Sequence, residues 1–258
     1  MILWAEDHWK VRDLRSRNGT FVNNKRIQLA RLRPGTALQF GRRSRSWVLE
    51  DASYPKAFAK RAEDNSVRML EDGMVSIPDS EEPLAMVFED SNGEWVLEMD
   101  GGRRPATDRE TVTVDGGAWT LFLPQGLDTT MVPTSIIGLM VEDIGLDFRV
   151  SHDEELVNIV LMQGKKPTRL VPRAHHYMLL TLARKRVADK ELPEGMRGWV
   201  YRDDLEHDLK LDSTHLNVQV HRARQELHRA GVTDSGSIVE RRNGQLRIGV
   251  RNLTIQTM

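Results

Sequence analysis

The sequence predicts a multidomain α+β protein, with strands in its first half and helices toward its carboxyl end. Short alternating segments separated by turns recur through residues 1–124, and an apolar period of 3.6 residues begins after Pro172. The 258 residues fit one large or two modest domains at roughly 100–200 residues per domain. Apolar residues make up 39% and charged residues 29%, which excludes a collagen-like or wholly disordered chain.

Charge is unevenly distributed, although the formal net charge is only -1. Residues 1–50 carry 11 Lys and Arg against 4 Asp and Glu, residues 51–160 carry 8 against 23, and residues 161–258 carry 18 against 11. Basic ends around an acidic middle predict anionic partners for the ends, such as nucleic acid, a phosphopeptide or a membrane surface. The alternative is that these charges belong to the solvated faces of unrelated segments.

The composition also excludes several classes of protein. The chain has no cysteine, which excludes disulfides, thiol nucleophiles and cysteine-bound zinc, and a reducing cytoplasm is where we expect such a chain. No segment approaches the roughly 18–20 apolar residues of a membrane helix, so we expect no membrane partner. Glu6 and Asp7 occur where a secretory signal would have its apolar core, so we expect no secretory signal.

Residues 1–50 are predicted to form a β-module of short strands. Residues 9–12 and 20–22 alternate with period two, and further strands are expected at 37–41 and 46–49. Turns are predicted at Asn18-Gly19 and Pro34-Gly35, because these residues suit the dihedral angles of tight turns. A run of short strands with turns every 8–12 residues favours a fragment of a β-sandwich.

The run Ser16-Arg17-Asn18-Gly19-Thr20-Phe21-Val22-Asn23, followed by Leu32-x-Pro34-Gly35 and Phe40-Gly41, resembles the second half of a forkhead-associated (FHA) domain. The resemblance implies an incomplete β-sandwich whose loops bind phosphothreonine peptides. It places peptide contacts at Ser16, Arg17, Asn18 and Asn23.

The resemblance has a gap at the phosphate itself. The family's Gly-Arg strand end and Ser-x-x-His loop, whose arginine pairs bidentately with phosphate, do not occur in residues 1–8. Either these elements lie upstream of this sequence, or the first half of the domain is lost, and in the second case we expect poor affinity for phosphothreonine. The alternative interpretation of Asn18-Gly19 is a plain hairpin turn.

The acidic middle of the chain is predicted to contain three segments. Residues 51–74 are expected to be a connector with a helical stretch at 57–61, and residues 75–124 a β-meander packed with the FHA-like module. Residues 125–143 are expected to be a linker between domains.

Residues 144–251 predict a winged helix-turn-helix preceded by a β-layer. Strands are expected at 146–150, 156–161 and 168–171, then helices after Pro172, over 202–209 and from Asp212 or Ser213. In the third helix an apolar face is formed by Leu216, Val220, Ala223 and Leu227. A hairpin with Asn243-Gly244 at its turn follows.

This segment resembles the effector domain of OmpR/PhoB-type bacterial transcriptional regulators, which implies DNA binding through the third helix and the hairpin. Departures are a long stretch at 186–198 and a hairpin without the family's aromatic ending. Arg222 and Asn217 are expected at base edges, and the remaining expected contacts, mostly to phosphates, are Gln219, His221, Arg224, Arg241, Arg242 and Arg247. The alternatives are a solvated polar face or a protein-docking helix.

No catalytic constellation is found, and we expect neither enzymatic activity nor a cofactor. The adjacent His175 and His176 project about 100° apart on a helix, which predicts no shared metal. The leading hypothesis is a bacterial regulator that links Ser/Thr phosphorylation to transcription, with DNA and a phosphothreonine protein as partners. The alternative is a phosphopeptide or protein adaptor that does not bind DNA. The oligomeric state is left open.

Overall fold

The chain divides into two units, Met1–Lys56 and Ala57–Met258. The structure is a computed structural model that describes residues 1–5, 8–79, 81–99, 102–124, 138–164 and 166–258. Among these residues, none of the helices is both long and apolar enough to cross a membrane.

The amino-terminal unit is built from short strands around a small core. Two sheets form, in the orders β1-β2-β5 and β4-β3-β6-β7. Val11, Leu32 and Leu38 are buried between them, as an alternating pattern with one inward face predicts. The strands are β1 (Ile2–Ala5), β2 (His8–Arg12), β3 (Thr20–Val22), β4 (Lys25–Ile27), β5 (Leu29–Arg31), β6 (Ala37–Gln39) and β7 (Trp47–Val48).

The second unit begins with residues 57–124, which we call the β-layer. Its two antiparallel sheets have the orders β14-β15-β8-β9 and β10-β11-β12-β13, and Trp119 and Leu121 lie in the core between them. The strands are β8 (Phe58–Arg61), β9 (Val67–Met69), β10 (Met74–Ile77), β11 (Ala85–Glu89), β12 (Trp95–Met99), β13 (Gly102–Pro105), β14 (Thr111–Val114) and β15 (Gly117–Phe122).

The sheet β10–β13 is buried on both faces, and this places the candidate site. Val75, Val87 and Leu97 point into the β-layer core. Residues one position away point to the opposite face, where Phe88 and Val96 form a second buried cluster. Because side chains alternate across a strand, a sheet buried on both sides must have another layer packed on its outer face.

That further layer is the carboxyl-terminal segment, residues 138–258. A four-stranded sheet of order β18-β17-β16-β22, in which β16 and β22 run parallel, packs with three helices around one core. A smaller sheet, β19-β21-β20, contains the hairpin. The elements are β16 (Ile144–Val150), β17 (Val157–Gln163), β18 (Lys166–Arg169), α1 (His175–Ala188), β19 (Val200–Tyr201), α2 (Arg202–Leu209), α3 (Ser213–Arg229), β20 (Val239–Arg242), β21 (Gln245–Ile248) and β22 (Asn252–Thr257).

Helix α3 starts and faces the core as its sequence predicts. The carboxylate of Asp212 accepts a hydrogen bond from the His215 amide at 2.8 Å, which caps the helix. Leu216, Val220 and Leu227 are buried in the core. At the hairpin turn, Asn243 and Gly244 both have positive φ, as a type I′ turn requires.

The structure differs from the predicted connector at residues 51–74. The stretch predicted as helical is strand β8, and β9 follows it. Ala57 and Ala59 are fully buried while Phe58 and Lys60 are half-buried, so a period of two decides the conformation. Most of the predicted linker, residues 125–137, lies outside the described residues. Packing of the 75–124 meander with the FHA-like module stays a prediction.

We expect Gly236→Ala to destabilise the second unit by about 1–3 kcal/mol, the usual cost of overpacking. A Cβ at Gly236 would lie 2.1 Å from Cδ2 of the buried Phe88 ring, so the β-layer and the carboxyl-terminal segment would have to separate. Gly195→Ala is the control, because a Cβ there meets nothing within 4 Å. Urea unfolding of both variants measures the effect, and equal stability would contradict the close packing at Gly236.

Candidate functional site

The loop between β2 and β3 presents the polar residues that were predicted to contact a peptide. Ser16, Arg17 and Asn18 are exposed on it. Asn23 is also exposed, but its side-chain oxygen accepts a hydrogen bond from the Ala37 amide at 2.9 Å, so this group fastens the β3–β4 turn to β6. The structure therefore brings Ser16, Arg17 and Asn18 together on one loop, whereas the Asn23 side chain stabilises a turn.

Asp13 holds this loop in shape. Its Oδ1 accepts hydrogen bonds from the Ser16 hydroxyl at 2.5 Å, from the Ser16 amide at 3.2 Å and from the Thr20 hydroxyl at 3.1 Å. These bonds, led by that of the Ser16 hydroxyl, lower the pKa of Asp13 below its usual value, against a smaller effect of desolvation. The loop is thus ordered by hydrogen bonds that Ser16 and Thr20 donate to Asp13.

A cavity of about 820 Å³ lies beside the same loop. Its lining residues include Ser16, one acid, Asp13, and three arginines, Arg12, Arg15 and Arg26, so basic residues outnumber acidic ones. Guanidinium groups are suited to phosphate oxygens because their N–H donors match them in pairs. The cavity is therefore chemically suited to an anionic group.

In the second unit, α3 is covered on its polar side by the β-layer. Arg224 has no exposed surface, and its two terminal nitrogens donate to the two carboxylate oxygens of Glu98 on β12 at 2.7 and 2.8 Å. Its guanidinium carbon lies 4.8 Å from the centre of the Phe88 ring. Burial opposes ionisation of Glu98, but the guanidinium groups of Arg224 and Arg241 hold its pKa below the usual value.

Arg241 of the hairpin completes this arrangement, which we call the Glu98 cluster (Glu98, Arg224 and Arg241). Arg241 Nε lies 3.0 Å from Glu98 Oε1, and its terminal nitrogen donates to Asn217 Oδ1 at 2.9 Å. Asn217 is 3% exposed and the Arg241 side chain 6%. A buried carboxylate is thus satisfied by two cations from two different elements.

The structure corrects the expected orientation of four predicted DNA contacts. His221 is 1% exposed, with Nδ1 at 3.5 Å from the Ser76 hydroxyl of β10. Together with Asn217, Arg224 and Arg241, it faces protein where nucleic acid was expected. The physical reason is that the outer face of sheet β10–β13 needs a covering layer, and the polar side of α3 supplies part of it.

The other predicted contacts remain nearer the surface. Arg222 is exposed and Gln219 half-buried, and both line a cavity of about 470 Å³. Arg242 is exposed and stacks on Trp199, with its guanidinium carbon 3.9 Å from the ring centre. The Arg247 side chain is 14% exposed and is bound to Glu240 at 2.6–2.7 Å.

The start of α1 meets α3 at a cluster of two histidines and a glutamate. Nε2 of His175 and Nε2 of His176 lie 2.7 and 2.8 Å from the same oxygen of Glu226, Oε2. The two histidines were expected to share no metal because they project about 100° apart on a helix, yet both ring nitrogens lie beside this one carboxylate oxygen. Burial opposes ionisation of Glu226, but the two histidine hydrogen bonds outweigh it and lower its pKa to about 2.

Two of these functional side chains were missed by sequence reasoning. Glu98 has a signal in the sequence, since it is a charged residue at an inward position of an otherwise apolar strand, two residues after Val96. Glu226 has no such signal, because a glutamate on the polar side of a helix is ordinary. The structure identifies Glu98 through its two arginine partners and Glu226 through its two histidine partners.

Comparison with known proteins agrees with the first module. The family model for the FHA domain matches residues 1–41, which confirms the resemblance of the amino-terminal segment. None of the curated proteins and none of the solved structures in the comparison matches the chain.

We expect His221 to make the protein less stable as the pH falls from about 6.5 to about 4. Burial and then the nearby Arg224 charge lower the pKa of His221 to about 4, so in this window the unfolded chain binds a proton that the folded protein does not. The loss amounts to about 3 kcal/mol at most. Urea unfolding at several pH values measures it.

His221→Gln should flatten this pH dependence, whereas His207→Gln should leave it in place because His207 is exposed. An unchanged profile in His221→Gln would contradict the neutral, buried state of the His221 imidazole.

Proposed function

We propose that this chain is a phosphoprotein-linked regulator whose carboxyl-terminal segment is a winged helix that binds DNA once the β-layer leaves α3. The FHA match supports the signalling part. The order of three helices and a hairpin, with a four-stranded sheet beside them, supports the winged helix. The observation that carries the regulatory part is the burial of the Glu98 cluster between α3, the hairpin and the β-layer.

The geometry of DNA explains why the covering matters. The major groove is about 12 Å wide, and a helix with its side chains is about 10–12 Å across. A single helix therefore fills the groove, and a helix that has a sheet packed on its side does not fit. Contacts to the β-layer run along one side of α3, from His221 and Arg224 to Arg229, whose guanidinium binds Asp72 at 2.6 Å. Reading DNA with this helix therefore requires the β-layer to move.

The Glu98 cluster also determines how much positive charge α3 and the hairpin can present to DNA. While Glu98 holds Arg224 and Arg241, its single carboxylate offsets one of their two positive charges, and both guanidinium groups are kept inside the protein. Release of the β-layer would expose both guanidinium groups beside Arg222, which is already at the surface. The same movement would thus uncover the helix and raise its positive charge.

A second candidate function is a protein adaptor, and one observation favours it. The polar side of α3 already contacts protein through two ion pairs, Arg224 with Glu98 and Arg229 with Asp72, as a docking helix would. In this case the β-layer is a permanent partner of α3, and DNA has no access to it.

We expect Glu98→Gln to bind DNA at least about tenfold more tightly than the wild type. Loss of the carboxylate charge leaves Arg224 and Arg241 unneutralised in a buried position, which weakens the hold of the β-layer. Fluorescence anisotropy with a labelled mixed-sequence duplex at about 50 and 200 mM salt measures affinity, and binding should fall steeply with salt.

Glu94→Gln is the matched control, since it removes the same charge from an exposed position near the same strand. Circular dichroism establishes that each variant is folded. Asp72→Asn, which loosens the ion pair to Arg229 at the surface, is the second variant and should give a smaller increase. If every variant binds DNA as weakly as Glu94→Gln, the adaptor function stands and DNA binding is wrong.

For the FHA segment, we expect Arg26→Ala to weaken phosphothreonine-peptide binding about tenfold, because a charge-assisted hydrogen bond is worth at least about 1.5 kcal/mol. Arg26 lines the cavity beside Ser16. Arg43→Ala is the control, an exposed arginine that is not among the residues lining that cavity. Calorimetry with a phosphorylated peptide library and its dephosphorylated copy measures binding. Equal binding of both libraries would argue against phosphothreonine recognition.

A further inference from the structure

The cluster at the start of α1 brings three metal-ligating atoms to one point. His175 Nε2, His176 Nε2 and a carboxylate oxygen of Glu226 lie within 4.8 Å of one another. His175 is 5% exposed, His176 is fully buried and the Glu226 side chain is 17% exposed. Two imidazoles and one carboxylate are a ligand set found in metal sites with one open position.

The surroundings of His176 give an independent reason to look for a cation. Its Nε2 faces Glu226 Oε2 at 2.8 Å, and its Nδ1 faces the backbone carbonyl of Val157 at 3.2 Å. Both partners only accept hydrogen bonds, whereas a neutral imidazole has one N–H and one lone pair. One ring nitrogen therefore faces an acceptor without a proton to donate, unless the ring is charged or a metal takes the place of the second proton.

We propose that His175, His176 and Glu226 form a binding site for a divalent transition metal of the zinc class. In this arrangement His176 Nδ1 donates to the Val157 carbonyl and leaves the Nε2 lone pair for the metal. A hydrogen bond from the second ring nitrogen to a backbone carbonyl is the usual support of a metal-bound histidine. Nitrogen and oxygen ligands in this ratio suit zinc better than calcium or magnesium.

A bound zinc ion would require the three side chains to adjust. Ligand atoms bound to a tetrahedral zinc at about 2.0–2.1 Å lie about 3.3 Å apart. The two nitrogens now lie 2.7 and 2.8 Å from the carboxylate oxygen, so each must withdraw from it by about half an ångström. The nitrogens must also take the same separation from each other, starting from an arrangement in which the three ligand atoms lie within 4.8 Å. Such a shift is within the reach of side-chain rotation at the first turn of α1.

The site is accessible on one side. The cavity of about 470 Å³ is lined by His175 and Glu226 together with Arg222 and Arg173, so an ion can reach the ligands from solvent. The open position of the metal would face this cavity, and the neighbouring arginines favour an anion or hydroxide as the fourth ligand. Bound there, the metal would join α1 to α3 and stabilise the packing of the two helices.

The test is a zinc titration of the full chain in competition with a chromophoric chelator, together with zinc analysis after gel filtration. We expect one zinc per chain in the wild type. Glu226→Gln keeps an oxygen that accepts hydrogen bonds but is a poor zinc ligand, and it should weaken zinc binding at least about 100-fold, since loss of a supporting partner alone costs about 10–100-fold. The control His152→Gln alters an exposed histidine and should bind zinc as the wild type does.

Circular dichroism without metal verifies that the variants fold. If Glu226→Gln does not fold, His175→Gln takes its place in the titration. X-ray absorption at the zinc edge gives a readout that does not depend on stability, with two imidazoles in the wild type and fewer in His175→Gln. The proposal is wrong if the wild type binds no stoichiometric zinc, or if Glu226→Gln binds it equally well. The three side chains would then be a hydrogen-bonded cluster around a charged His176.

Discussion

The ion pairs of Glu98 with Arg224 and Arg241 are the interaction on which the second unit depends. A carboxylate that is 1% exposed is tolerated only when its charge is neutralised and its oxygens are satisfied by hydrogen bonds, because removal of an isolated charge from water is costly. The carboxylate is on the β-layer, one cation is on α3 and the other is on the hairpin. If the β-layer leaves, both guanidinium groups lose their carboxylate, and if α3 leaves, Glu98 loses its bidentate partner.

The same ion pairs determine how the β-layer packs on α3 and which polar side chains of α3 are covered. The outer face of sheet β10–β13 offers Met86, Phe88 and Val96 as an apolar surface, and Glu98, opposite Met86 on the neighbouring strand, as a polar group beside it. Apolar contact would stabilise many orientations of the two layers, whereas a bidentate arginine pair fixes one of them. Side chains that were expected to contact DNA, such as Arg224 and Arg241, are instead used in this structure to position a sheet.

The amino-terminal unit uses its polar residues differently. Asp13 organises the Ser16 loop through hydrogen bonds within the loop, so the exposed Arg17 and Asn18 are presented on an ordered backbone. Three arginines, Arg12, Arg15 and Arg26, line the adjoining cavity. The basic residues beside the loop are thus contributed by β2, β4 and the loop between β2 and β3.

The sequence by itself determined the local structure. The periods of two and 3.6, the Asp212 cap and the Asn243-Gly244 turn indicated most strands, the three helices and the hairpin, because these signals depend on neighbours in the chain. The FHA segment was also recognisable from its run of residues. Only the tertiary structure decided which polar residues are free. Arg224 and Arg222 are both arginines on the polar side of α3, yet one is buried against Glu98 and the other is exposed. That difference depends on a sheet more than a hundred residues away in the chain, and residues 175, 176 and 226 come together for the same reason, since long-range packing leaves no mark on local spacing.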